Sequence, residues 1–360
     1  MTALVVVASS AAQVSSADVK MCTLAPALDS DFPDPSILVE PAGGQPAQDP
    51  QGVDSPAVGA VAFAYGTNVA ATEPAPSGAS QPSALLNVAF SRSEDPHLQR
   101  WSPPTDALPR LPAWAQPGYT WAPAAVHRPG EPYRLYFTAR YGFSGRPCIG
   151  VAQSPTPEGP FVPTSETKPL VCPLGEGGAI DPSLFRDDDG TEYLLWKTDS
   201  NCCSGAPAIY LQRLSPDGLA LEGPHGADSP WILTDATPLI HRDQPWEGQV
   251  VEAPSLIKHA GRYFLFYSGG YYGASSYAVG YASADRLLGP YQKATAPILS
   301  AANGLSGPGG QDVFTGPNGA TVMAFHAWRE LPPPRHRALY VSPLTWDING
   351  PVAPTDCAQP

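Results

Sequence analysis

Three carboxylates in this 360-residue chain, Asp34, Asp181 and Glu252, each stand directly before an apolar run. Asp34 and Asp181 immediately precede a proline, and Glu252 lies two residues before one. Cleavage of a glycosidic bond needs one carboxyl group that protonates the leaving oxygen and another that stays ionised. The three residues are therefore candidates for such a site if the fold brings them together.

The context of these carboxylates is repeated along the chain. An Asp-Pro pair alone is an ordinary turn signal, but related segments also occur at residues 121–126 (WAPAAV) and, more weakly, at 309–314 (GGQDVF). Five copies of one opening segment indicate five similar structural units.

Each opening segment is followed by further strand patterns. Aromatic or apolar strands are predicted near residues 61–65, 133–137, 193–197, 263–267 and 321–325, and strands of small residues near 88–91, 150–154 and 280–283. Turn sequences such as DDDG at 187–190 separate them. The sequence predicts an all-β fold, a five-bladed β-propeller of four-stranded antiparallel sheets. A β-sandwich pair is the alternative, but it leaves the repeated segment unexplained.

A propeller would explain how the carboxylates meet. The innermost strand of each blade lines the central channel, so the residues that open those strands converge at one end of it. Asp34, Asp181 and Glu252 would come from blades one, three and four. Like charges gathered in a restricted pocket repel each other and raise at least one pKa.

Composition narrows the class of protein. The net charge is −13, which disfavours nucleic-acid binding. No apolar run approaches the roughly 18 residues that a membrane span needs. Gly and Pro, 34 and 45 residues, suit short strands joined by turns. Residues 40–58 and 68–84 are predicted to be insert loops of the first blade.

The N-terminus and the cysteines bear on location. Residues 1–25 are either a secretory signal or a disordered segment, and residues 26–360 are predicted to form a single propeller catalytic domain. Six cysteines suit an oxidising compartment, so a secreted, extracellular protein is expected. Cys202 and Cys203 are expected to have separate partners, and the lack of a CxxC pair disfavours a structural zinc site.

The opening segments resemble those of glycoside hydrolase family 43, over residues 32 to about 351. The resemblance lies in residues 32–36 (FPDPS), 120–123 (TWAP), 179–185 (AIDPSLF) and 251–256 (VEAPSL). It implies a five-bladed propeller and an inverting mechanism, with Asp34 as general base and Glu252 as general acid. Asp181 would position Glu252 and raise its pKa. Inversion requires the base and the acid to stand about 6.5–9.5 Å apart.

Within the family, residues 177–181 (GGAID), 196–201 (WKTDSN) and 308–311 (PGGQ) look like the exo-acting α-L-arabinofuranosidase branch. The implied reaction is release of terminal arabinofuranose from α-1,5-arabinan or arabino-oligosaccharides by a monomeric enzyme. β-Xylosidase and endo-arabinanase activities are alternatives within the family. A non-catalytic carbohydrate-binding propeller is the alternative of another class, although it would be expected to lack one of the carboxylates.

Four further residues are candidates for substrate binding. Trp121 could wall the sugar pocket, Asn201 could reach its rim, and His326 and Arg337 lie in blade five. The alternatives are a core position for Trp121, an ordinary loop position for Asn201, a structural role for His326 and a surface position for Arg337. Many family members place a histidine near a channel cation, several of them where this chain has Gln311, which leaves a calcium or sodium ion doubtful. No other cofactor is implied.

Overall fold

The computed structural model describes residues 24–41, 59–70, 85–224, 230–233, 235–302, 304–330 and 335–353. Most of the two predicted insert loops and nearly all of the predicted signal segment lie outside these residues. The prediction of an all-β, five-bladed propeller is confirmed. In the described part of the chain, helix is limited to short 3-10 turns, at Leu174–Glu176, Ser200–Cys203 and Pro245–Glu247, and no helix is long and apolar enough to cross a membrane.

The sheets follow one another along the chain. Blade one comprises β1 (Ser36–Glu40), β2 (Val61–Gly66), the small hairpin strands β3 (Val69–Ala70) and β4 (Leu85–Leu86), β5 (Ala89–Ser93) and β6 (Thr105–Asp106). Blade two comprises β7 (Ala115–Val126), β8 (Tyr133–Tyr141), β9 (Pro147–Ser154) and β10 (Val162–Pro163). Blade three comprises β11 (Ala179–Arg186), β12 (Glu192–Thr198), β13 (Ala208–Arg213) and β14 (Thr237–His241).

The last two blades complete the circle. Blade four comprises β15 (Val251–His259), β16 (Arg262–Gly269), β17 (Ala278–Ala284) and β18 (Gln292–Lys293). Blade five comprises β19 (Gly309–Thr315), β20 (Thr321–Arg329) and β21 (His336–Pro343), followed by the hairpin β22 (Thr345–Asp347) and β23 (Gly350–Val352). All neighbouring strands within a blade are antiparallel, as short turns require.

The N-terminal part of the described chain joins blade five to blade one. The Ala27 N–H donates to the Leu339 carbonyl at 2.8 Å, and the Leu339 N–H donates to the Leu28 carbonyl at 3.1 Å. This segment therefore pairs with β21 before the chain enters β1. The ring of blades is closed by backbone hydrogen bonds between residues that lie some 300 positions apart.

The core lies between the blades. Each of five buried clusters takes its side chains from two neighbouring blades: Phe63 with Leu135, Tyr136 with Trp196, Leu195 with Leu265, Phe266 with Phe325, and Ala64 with Ala324. The second strand of a blade is therefore buried on both faces, which explains why these strands read as nearly continuous apolar runs. Packing against two neighbours fixes the height of each inner strand along the channel.

Candidate active site

The five inner strands open with the same backbone conformation. One residue in each has a positive φ, between 41° and 58°: Asp34, Ala122, Asp181, Ala253 and Gly310. Four of these are not glycine, and residues with a side chain adopt this conformation uncommonly. In blades two to five the pairing register shifts at this point, which marks a bulge. We call these five the opening residues.

A ring of hydrogen bonds holds the opening residues together. The N–H of each one donates to a side chain of the preceding blade. The acceptors are His326 Nδ1 for Asp34 (3.1 Å), Thr67 Oγ1 for Ala122 (2.9 Å), Thr138 Oγ1 for Asp181 (3.2 Å), Asp181 Oδ2 for Ala253 (2.8 Å) and Ser268 Oγ for Gly310 (3.0 Å). The ring fixes the inner strands relative to one another at the mouth of the channel.

A pocket of about 570 Å³ lies over this ring. Side chains of all five blades line it, and Asp34, Asp181 and Glu252 are among them. The three predicted carboxylates therefore do meet at one end of the channel. Side chains of Asp34 and Glu252 remain 21% and 13% exposed, enough for contact with a bound molecule.

The surroundings of Asp34 favour its charged form. Burial opposes this charge, but the Arg337 guanidinium at 3.7 Å and the Thr67 hydroxyl at 2.5 Å hold the pKa of Asp34 well below its ordinary value. Asp34 is therefore ionised at neutral pH. An ionised carboxylate can accept a proton from water, which is what a general base must do.

Asp181 is held in the opposite state. Burial and the neighbouring negative charge of Glu252 raise the pKa of Asp181 well above its ordinary value, against the opposing influence of Lys197. The pocket thus holds an ionised Asp34 together with an Asp181 whose pKa is raised.

Two partners of Glu252 were not foreseen from the sequence. The Lys197 ammonium donates to Glu252 Oε2 at 3.3 Å and also to Asp199 Oδ1 at 3.1 Å, and the Tyr277 hydroxyl donates to Glu252 Oε1 at 2.9 Å. A signal for Lys197 existed, because it is the one charge in the buried run YLLWK at 193–197. Tyr277 follows a loop and carries no comparable signal.

Of the four predicted substrate-binding residues, three line the pocket: Trp121, Asn201 and Arg337. His326 does not. Its side chain is fully buried behind Asp34, where Nδ1 accepts the Asp34 N–H. The prediction that His326 contacts substrate therefore gains no support from the structure, which places the ring between blades and against Asp34.

The donor set beneath the pocket does not suit the channel cation that the family resemblance suggests. Gln311 stands at the relevant place, but its amide oxygen accepts from Ser268 at 2.7 Å and its nitrogen donates to the Ala253 carbonyl at 2.6 Å. Among the described residues, no group of three His, Cys, Asp or Glu side chains is arranged to hold a metal ion. We derive no step through a metal.

The cysteines correct one expectation. Cys202 and Cys203 are bonded to each other instead of to separate partners, while Cys148 pairs with Cys172. The adjacent pair belongs to the 3-10 turn at Ser200–Cys203. The same turn carries Asn201 into the pocket wall.

Comparison with known proteins agrees with this architecture. The family model "Glycosyl hydrolases family 43" matches residues 79–352, and the chain belongs to that family. A solved thermostable family-43 glycoside hydrolase superimposes with a TM-score of 0.69 at 25% identity, covering 92% of this chain and 95% of the other.

Two curated relatives give narrower matches. A β-D-galactofuranosidase of Aspergillus niger is 29% identical over 251 residues, which is 66% of this chain and 65% of the relative. Xylosidase/arabinosidase 43A of Humicola insolens is 43% identical over 86 residues, 23% of this chain and 24% of the relative. The chain thus spans less than two thirds of the length of either.

Proposed function

We propose that this protein is an inverting, exo-acting α-L-arabinofuranosidase that releases terminal arabinofuranose from α-1,5-arabinan or arabino-oligosaccharides. The observation that carries the proposal is the pairing of opposite protonation states in one pocket. Asp34 is held ionised, and the pKa of Asp181, beside Glu252, is raised. Glycoside hydrolysis with inversion needs this combination.

In the proposed reaction Asp34 takes a proton from a water molecule as that water attacks the anomeric carbon. Glu252 gives its proton to the glycosidic oxygen, whose bond to the anomeric carbon breaks. The pocket then holds a protonated Asp34 and an ionised Glu252, and exchange with solvent restores both. Asp181 contributes by disfavouring the ionised form of Glu252 before the reaction.

The roles of the two carboxyls can be separated by the leaving group. Glu252→Gln should retain much of the wild-type kcat on 2,4-dinitrophenyl arabinofuranoside, whose leaving group needs no proton, but lose about 10²-fold or more on arabinobiose. Asp34→Asn should be impaired on both substrates, because water activation is still required. Near wild-type activity of Glu252→Gln on arabinobiose would remove Glu252 from the role of acid.

The stereochemistry is tested directly by following the first-formed sugar by proton NMR. Inversion predicts that hydrolysis of an α-arabinofuranoside first yields the β-anomer. An α-anomer as the first product would mean a retaining mechanism, and with it a base–acid separation near 5 Å instead of about 6.5–9.5 Å.

The choice of arabinofuranose takes its support from one curated relative, which is named a xylosidase/arabinosidase. A second candidate, hydrolysis of β-D-galactofuranosides, is favoured by the A. niger relative, since β-D-galactofuranose and α-L-arabinofuranose share their ring configuration. Rates on 4-nitrophenyl α-L-arabinofuranoside, β-D-galactofuranoside and β-D-xyloside separate the candidates. Arabinose alone from debranched arabinan supports exo action, whereas oligomers indicate an endo-arabinanase.

We further propose that the enzyme is secreted and monomeric. Two disulfides in the described residues are consistent with an oxidising compartment. Fractionation of the producing cells and light scattering of the purified protein test the two statements; retention in the cytosol or a stable dimer would contradict them.

A further inference from the structure

Lys197 occupies a place in the repeat where the other blades carry a hydrogen-bond acceptor. In the register of blades two to five, the residue before each opening residue faces Thr138, Lys197, Ser268 or His326 on the second strand. Thr138, Ser268 and His326 each accept the N–H of the next opening residue. An ammonium group has no lone pair with which to do so.

The missing acceptor at Lys197 affects only the hydrogen bond at the junction of blades three and four. There the Ala253 N–H is accepted by Asp181 Oδ2 at 2.8 Å, so the ring remains complete without Lys197. A lysine at this place is thus unnecessary for the ring, and it costs the desolvation of a charge, since its side chain is only 1% exposed. This exception to the internal repeat needs another explanation.

The contacts of Lys197 supply that explanation. Its ammonium lies 3.3 Å from Glu252 Oε2 and 3.1 Å from Asp199 Oδ1. Burial disfavours the ammonium, but Glu252, Asp199 and Asp181 together raise the pKa of Lys197, so it stays charged. Because Tyr277 donates to the other Glu252 oxygen, both oxygens of the acid are held by donors.

This arrangement suits the charge that the acid acquires. When Glu252 gives up its proton, negative charge develops on its carboxyl group in a site sheltered from bulk water, where a fixed ammonium is most effective. Lys197 places a positive charge 3.3 Å from Glu252 Oε2, whereas Asp181 is an acidic neighbour of the same carboxyl. The other acidic and basic side chains that line this pocket are Asp34, Asp199, Asp312 and Arg337, and His326 lies behind Asp34.

We propose that Lys197 is a positioning residue for the general acid. It orients the Glu252 carboxyl and stabilises the negative charge left when the proton departs. Asp199 partly compensates the positive charge of Lys197. The inference rests on the proposed function, in which Glu252 is the acid. The role of Lys197 is then to control the charge of Glu252, and not to close the ring of hydrogen bonds.

The test uses pH profiles of kcat/KM with an alkyl and a 2,4-dinitrophenyl arabinofuranoside. Lys197→Met should raise the pH of the alkaline limb by about 1–3 units, because Glu252 loses a neighbouring cation. It should also lower kcat about 10-fold or more on the alkyl substrate, with a few-fold change on the activated one. Lys258→Met, which removes a lysine paired with Asp187 away from the pocket, should leave both profiles unchanged.

A second variant, Asp199→Asn, should shift the alkaline limb in the opposite direction. It leaves the Lys197 ammonium uncompensated, so the alkaline limb should move to lower pH. This expectation holds even if lost contact with substrate changes KM. Lys197→Thr places in blade three the residue type that blade two carries at Thr138, and it should reproduce the Lys197→Met shift if the methionine variant does not fold.

The results distinguish this inference from the proposed function. Unmoved alkaline limbs in the Lys197 and Asp199 variants, beside a Glu252→Gln enzyme that fails on the alkyl substrate, would overturn the role of Lys197 and leave Glu252 as acid. Full activity of Glu252→Gln on the alkyl substrate would instead overturn the proposed function itself. Equal losses on both substrates without a pH shift would assign Lys197 a merely structural role.

Discussion

Replacement of Arg337 by methionine should raise the acid limb of the pH–activity profile. Arg337 Nη1 lies 3.7 Å from Asp34 Oδ1 and is a main cause of the low pKa of Asp34. His326 cannot take over this task, because burial lowers the pKa of His326 and leaves the ring neutral at ordinary pH. Without the guanidinium, the pKa of Asp34 should move back toward its ordinary value of 3.8.

The magnitude follows from the distance. Two unit charges 3.7 Å apart interact by about 1 kcal/mol in a medium like water and by about 4.5 kcal/mol at an effective dielectric constant of about 20. At about 1.4 kcal/mol per pKa unit, the range is roughly 0.8 to 3 units. The two side chains are 15% and 21% exposed, which places the expected shift between these limits, at about 1–2 units.

The assay is kcat/KM for an aryl arabinofuranoside from pH 2 upward, which reports the free enzyme and reaches the acid limb expected for the variant. Arg335→Met is the matched control, since Arg335 lies 3.8 Å over the Trp328 ring and pairs with Glu330 instead of Asp34. Arg337→Lys should shift the limb less than Arg337→Met. An acid limb that stays in place in Arg337→Met would refute the view that Arg337 keeps the base ionised, even if KM rises.

Two further predictions concern the channel. Burial raises the pKa of Asp312 to about 6. The stabilising contribution of this carboxyl is therefore complete below about pH 3.8 and is lost as pH rises through 6. Between pH 4 and pH 7 the wild type should lose about 3 kcal/mol more unfolding free energy than Asp312→Asn. Urea unfolding at the two pH values measures this, and equal losses would contradict it. A Cβ on Gly310 would lie 2.6 Å from Asp34 Oδ1 and from the His326 ring, so Gly310→Ala should cut kcat/KM by about 10²-fold or more. Gly319→Ala, at a similar positive φ but in open space, should leave activity unchanged; equal activities of the two variants would refute the steric argument.

The sequence was sufficient for the blades and for the three carboxylates. The opening segments are local, and a residue such as Asp34 or Asp181 beside its proline can be recognised without knowledge of distant contacts. Burial between two blades also leaves a local trace, since the second strands read as apolar runs. These features repeat five times, so a weak signal in each becomes a strong one together.

What the sequence did not reveal depends on contacts between distant residues. The pairing of Ala27 with Leu339 closes the ring, yet neither residue carries a pattern that indicates the other. His326 could be assigned to blade five but not to the far side of Asp34, because the direction of its ring is set by packing between blades. The bond between Cys202 and Cys203 lies in a 3-10 turn, which the pattern of the sequence did not predict.

The offset between the carboxylates explains their unequal roles. Asp34 and Asp181 are themselves opening residues, whereas Glu252 precedes one, at the place that Trp121 holds in blade two. Asp181 accepts the N–H of Ala253, the residue after Glu252, and burial together with the negative charge of Glu252 raises the pKa of Asp181. Asp34 instead receives a cation and a hydroxyl donor, which keep it ionised. In the proposed function, the acid Glu252 and the base Asp34 therefore come from one repeated backbone motif. They differ by a shift of one residue and by the groups that complete the ring beside each.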